Sequence, residues 1–139
     1  MTRYTLDKYQ PQSIERKLID AAAHVKSNAY CPYSKFAVGA AVLTNTDEII
    51  TGVNVENASA SNGCCAEKVA VVKAISKGCK SLKALAISTN FEEFIWPCGS
   101  CLQVVAEFVP KEFPIYSINK LHEIKEAHLK ELFPKQFHL

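Results

Sequence analysis

Two stretches with helical patterning open directly on cysteines, and this restricts the fold more than any other feature of the chain. Cys65-Ala-Glu67 precedes Val69, Val72 and Ile75, which share one helix face, and Gly78 is placed to stop that helix. Pro97-Cys98-Gly-Ser-Cys101 begins a second helical stretch that runs to Phe108. The free N–H groups and dipole of a helix N-terminus stabilise negative charge, so thiols there favour the thiolate that a metal requires. If Cys65, Cys98 and Cys101 share one metal, two helix starts must meet.

The remaining cysteines have blander readings. The chain has 139 residues, 48% of them hydrophobic, which suits one domain over residues 1–139 with a single buried core. Its start lacks a continuous apolar segment of the kind that directs secretion, and no stretch approaches the ~20 apolar residues of a membrane span. A soluble cytoplasmic protein with no membrane partner is therefore expected, where disulfides do not account for six cysteines. Cys31 and Cys79 have no partner at ligand spacing and read as core filler. Cys64 adjoins Cys65, but neighbouring residues in a short turn rarely aim at one tetrahedral metal, so it reads as a core or loop residue. His24, His122, His128 and His138 are scattered through polar stretches and read as solvated. The formal charge of +2 also argues against a dedicated nucleic-acid module.

Hydrophobic periodicity predicts a first helix from Ser13 to Ala29, with Ser13 as N-cap. Phe36–Leu43 and Ile49–Val55 flank a polar turn and read as a hairpin. Glu56–Gly63 reads as a loop, and Leu82–Ser88 and Phe113–Ile118 as strands. Strands alternating with helices after the first hairpin indicate an α/β domain with a mixed sheet. Lys120–Leu132 looks helical by its Leu, Lys and Glu content, but propensity is a weak prior and a strand is expected for part of it.

Three thiolates suit zinc, and three protein ligands leave the open position of a catalytic rather than a structural site. Glu67, two residues after a ligand, can serve as a partner for the helix dipole, or can take a proton from zinc-bound water and deliver it to a leaving amine. Cys-x-Glu combined with Pro-Cys-x-x-Cys is the pattern of zinc nucleoside and nucleobase deaminases.

The chain resembles the small zinc-dependent cytidine deaminases of the homotetrameric class. Cys31-Pro-Tyr-Ser-Lys-Phe-Ala-Val-Gly-Ala-Ala41, Gly52-Val-Asn-Val-Glu-Asn-Ala58, Cys65-Ala-Glu67, Pro97-Cys-Gly-Ser-Cys-Leu-Gln103 and Glu131-Leu-Phe-Pro134 carry the resemblance. It implies a three-layer α/β/α sandwich around a mixed, roughly five-stranded sheet. It also implies one Zn²⁺ per chain on Cys65, Cys98 and Cys101, with Glu67 as the proton carrier. The implied reaction converts cytidine and 2′-deoxycytidine to the uridines and ammonia, a pyrimidine salvage step. Phe36 would pack against the pyrimidine, the Ala66 backbone would hold the base, and Asn54 and Glu56 would bind the sugar 3′-hydroxyl. Two residues apart on a strand, Asn54 and Glu56 would share one face. Ala58 and Phe137 would be supplied by a neighbouring subunit of a homotetramer.

Three positions depart from that pattern. Lys68 and Leu102 stand where the family usually has arginine, which weakens compensation of the thiolate charge. Ala60 stands where a larger residue is common, which could admit a larger ligand. The competing readings are a deaminase of a nucleotide, a nucleoside analogue or a base-bearing antibiotic, a polynucleotide deaminase, and a non-catalytic zinc-stabilised interaction domain. A polynucleotide deaminase calls for a basic, aromatic-lined groove, which the charge does not suggest. A purely structural zinc site needs neither Glu67 nor an open position.

Overall fold

A computed structural model describes residues 1–139. In chain order the elements are β1 (Arg3–Tyr4), α1 (Ile14–Val25), β2 (Val38–Thr44), β3 (Ile49–Val53), α2 (Ala66–Ser76), β4 (Leu82–Thr89), α3 (Gly99–Ala106), β5 (Pro114–Ile118), β6 (Ile124–His128) and α4 (Leu129–Leu132). Six strands form one sheet in the order β1-β6-β5-β4-β2-β3. Only β4 and β5 are parallel neighbours; the other pairs are antiparallel.

The sheet is mixed, as expected, and adds one short strand to the roughly five expected. The addition is β1, whose two residues pair with β6 as Arg3↔Lys125 and Tyr4↔Ile124. Two residues are too few to show a period of two, so only the pairing reveals the strand. Within Lys120–Leu132 the expected strand is present as β6, held between β5 and β1, with the short α4 after it. Sheet pairing on both edges outweighs the helical propensity of its Lys and Glu.

Alternation along β2 builds the layers. Val38, Ala40 and Val42 face one core with Ala70, Val71 and Ala74 of α2 and Val105 of α3. Ala41 and Leu43 face the other with Leu18, Ile19 and Ala22 of α1. Burial of Leu18 or Ile19, both at 1% exposure or less, contributes roughly 1.5–3 kcal/mol each. Ser13 caps α1 by accepting from the Arg16 N–H at 3.2 Å, and Gly78, at φ 96°, follows the end of α2.

Two glycines let helices approach the sheet from opposite sides. A Cβ on Gly39 would lie 2.2 Å from the Ala22 carbonyl oxygen in α1, and one on Gly52 would lie 2.5 Å from the Ala70 nitrogen in α2. Neither position has room for a side chain.

The crossovers place the site. β3 and β4 both run antiparallel to β2, so they are parallel to each other, and α2 connects them. α3 connects β4 to its parallel neighbour β5. Both connections step the same way across the sheet, and right-handed crossovers therefore put both helices on one face. Each helix starts beyond the carboxyl end of its strand, so the two N-termini lie at the same end of the sheet, where ligands of such sheets bind.

Candidate active site

Cys65 is the N-cap of α2 and Cys98 the N-cap of α3, both with extended backbone. Cys101 lies in the first turn of α3. The three sulfurs lie within 4.8 Å of one another, with Cys101 buried and the other two exposed, and none is in a disulfide. Glu67, buried in the first turn of α2, places Oε2 4.0 Å from Cys101 Sγ.

The electrostatics of these groups are strongly opposed. Burial pushes the Cys65 and Cys101 thiols above their usual range, and the negative charge of Glu67 and the neighbouring thiols adds to the shift. Burial acts in the same direction on Cys98, but bonding from the Cys101 and Ser100 backbone and the adjacent thiols brings Cys98 below its ordinary value. Burial also raises Glu67. One thiol at a helix start thus accepts negative charge readily, whereas converting all three to thiolates requires a compensating cation. Three converging soft donors fit zinc, and two of them, Cys65 and Cys98, line a cavity.

That cavity has a volume of about 350 Å³ and is lined by Phe36, Asn54, Cys65, Ala66, Glu67 and Cys98, together with Val38, Ile95 and Trp96. Sequence reasoning singles out the first six, reads Val38 only as a strand residue, and misses Ile95 and Trp96. Pro97 follows them directly, so proximity to the second cysteine motif was the available signal.

Glu56, Ala58 and Phe137 lie outside this cavity. Asn54 and Glu56 both fall after the last residue of β3 and open onto different cavities. Glu56 borders a neighbouring cavity with Tyr33, Ala58 and Ala60. Its Oε1 accepts the N–H groups of Tyr33 and Ser34 at 3.1 Å, and its Oε2 accepts the Ser34 hydroxyl. These bonds, the Ser34 hydroxyl foremost, hold its pKa below the usual carboxylate range. Phe137 is 66% exposed in the C-terminal tail, and its carbonyl accepts from Gln103 Nε2 at 3.3 Å. Cys31 and Cys79 are partly buried and Cys64 is exposed, while all four histidines lie at the surface.

Residues 12–117 match the model of the cytidine and deoxycytidylate deaminase zinc-binding region. The chain belongs to this deaminase family. A family relative from Sporosarcina psychrophila, a cytidine deaminase, is 43% identical over 87% of this chain and 89% of its own length. The crystal structure of cytidine deaminase from Burkholderia pseudomallei superposes with a TM-score of 0.83 at 35% identity, covering 87% of this chain and 97% of that one. A more distant family relative, the blasticidin-S deaminase of Bacillus cereus, is 28% identical over 75% of this chain and 79% of its own length. Zinc is the metal of the family's matched region, and the three-thiol cluster is where this chain can hold it.

Proposed function

We propose that the chain hydrolytically deaminates cytidine and 2′-deoxycytidine to the corresponding uridines and ammonia. The observation that carries this reading is the buried Glu67 carboxylate beside three convergent thiols, two of which, Cys65 and Cys98, line one apolar cavity with it. Cys65, Cys98 and Cys101 would hold the zinc. When bound there, zinc supplies a Lewis acid that brings the pKa of water towards about 7.

Glu67 then carries protons. Its burial raises its proton affinity, which suits a group that must take a proton from the attacking water and pass it to ring N3 and the departing amino group. Phe36 packs against the pyrimidine, and the small Ala66 lets the backbone approach the base. The Asn54 amide uses one N–H on the Phe36 carbonyl, leaving a donor for a sugar hydroxyl. Glu56, kept ionised by its contacts, has acceptor capacity remaining on Oε2.

The proposed assembly is a homotetramer of one-domain chains, with Ala58 and Phe137 completing a neighbour's pocket. A phenylalanine 66% exposed near the chain end supports this, because covering it at an interface would stabilise by roughly 1.5–3 kcal/mol. The proposed location is the cytoplasm. No helix is long and apolar enough to cross a membrane.

A second reading is deamination of a base-bearing antibiotic. It is favoured by the blasticidin-S deaminase relative and by the small Ala58 and Ala60 beside a cavity of about 390 Å³. Ammonia release decides between them, measured with cytidine, 2′-deoxycytidine, CMP, cytosine, adenosine, blasticidin S and a single-stranded oligonucleotide. Preference for the two nucleosides is expected. Preference for blasticidin S would replace the first reading with the second, and inactivity on every compound would overturn both.

A further inference from the structure

The segment entering β2 is gripped from both edges by the same three-bond arrangement. On the β3 side the Asn54 N–H donates to the Val38 carbonyl at 3.3 Å, Asn54 Oδ1 accepts from the Val38 N–H at 2.9 Å, and Asn54 Nδ2 donates to the Phe36 carbonyl at 2.7 Å. On the β4 side Asn90 repeats this pattern one residue earlier. Its N–H donates to the Ala37 carbonyl at 3.3 Å, its Oδ1 accepts from the Ala37 N–H at 3.0 Å, and its Nδ2 donates to the Lys35 carbonyl at 3.2 Å. Each asparagine directly follows the last residue of its strand, and its side-chain amide continues the ladder where the backbone leaves it.

Phe36 sits between the two bonds that the Asn90 amide makes. The residue before it, Lys35, has φ 56°, a left-handed conformation that a non-glycine residue holds only when its surroundings impose it. The residue after Asn90 completes the grip: the Phe91 ring lies 4.8 Å from the Phe36 ring, centroid to centroid. Phe91 is itself anchored, donating its N–H to Thr89 Oγ1 at 3.2 Å and accepting the Lys120 N–H at 2.9 Å.

We propose that Asn90 is a positioning residue for substrate binding, acting through the backbone of Phe36 and so through the ring that walls the cavity. This rests on the deaminase reading, in which that ring contacts the pyrimidine. Asn90 is exposed, so water can replace its bonds and the fold loses little when they are removed. The placement of Phe36 loses more, because water does not hold the left-handed Lys35 in one geometry. The loss falls on ground-state and transition-state binding alike, which raises KM and spares kcat.

The test compares zinc-loaded parent, Asn90→Ala and Asn90→Asp proteins in cytidine turnover, zinc content and amide exchange. Asn90→Ala is expected to raise KM about tenfold with kcat within about twofold and zinc retained. Exchange should quicken at Ala37 but not at Val38. Asn90→Asp, which keeps the acceptor for Ala37, should fall between. An unchanged KM, or loss of kcat together with zinc, would overturn the proposal. If the parent releases no ammonia from cytidine, the deaminase reading fails separately. The positioning claim is then decided by the emission of Trp96, the single tryptophan, which shares the cavity wall with Phe36. A shifted spectrum in Asn90→Ala supports it and an identical spectrum refutes it.

Discussion

Lys68 Nζ donates to Ser100 Oγ at 3.1 Å, tying the first turn of α2 to the first turn of α3. The two helices bring one and two of the thiols, so this bond spans the metal-binding cluster. It also directs a positive charge to a site where three thiolates would outweigh one Zn²⁺. Lysine lacks the planar fork with which arginine could hold two acceptors at once, and here its ammonium engages a hydroxyl. Replacing Lys68 by methionine should weaken zinc binding about tenfold in competition with a chelator, whereas arginine should preserve it. Equal affinity in the methionine variant would mean that the bond contributes nothing to the centre.

The two close-approach glycines separate stability from site assembly. Gly52→Ala forces a Cβ against the backbone of α2, the helix that carries Cys65 and Glu67, and should cost about 3 kcal/mol or more while lowering zinc affinity. Gly39→Ala forces one against α1, on the opposite face of the sheet, and should cost as much while leaving zinc affinity unchanged in the folded protein. Urea unfolding and chelator competition on both variants check the contrast. Equal zinc loss in both would show that the two faces do not act independently.

Lys26 gives the fold a pH dependence of known sign. Its Nζ donates to Ser88 Oγ at 3.2 Å and to the Thr89 carbonyl at 3.0 Å, and burial lowers its pKa below the 10.5 of the unfolded chain. Between the folded and unfolded values the unfolded chain binds the proton that the folded protein has released. Stability from this group therefore rises with pH across that window and is lost as pH falls through the folded value. The urea midpoint of the parent relative to Lys26→Met should increase as pH approaches 10.5. A difference that stays flat or declines would contradict the burial.

The part of the site carried by local sequence was legible. Cys65 and Cys98 mark helix starts, and Gly78 marks a stop, through backbone requirements confined to a few neighbouring residues. β1 was not legible, because Arg3 and Tyr4 become a strand only by meeting Lys125 and Ile124 from the far end of the chain. Trp96 and Asn90 were hidden for the same reason. Nothing near Asn90 in sequence reveals that its amide spans Lys35 and Ala37, whereas Asn54, with an identical grip, was visible through the motif around it. Asn54 and Glu56 were placed on one strand face because alternation was carried past Val53, where the strand ends.

The account stands most directly on Glu67. Glu67 lines the cavity with its carboxylate 4.0 Å from Cys101 Sγ, and it carries every proton transfer of the proposed reaction. Ammonia release from cytidine should be measured for zinc-loaded parent and Glu67→Gln proteins of equal zinc content, at about one zinc per chain. The account predicts active parent protein and a glutamine variant slower by at least about a hundredfold. Near-parental turnover in the glutamine variant, with zinc retained, would contradict it.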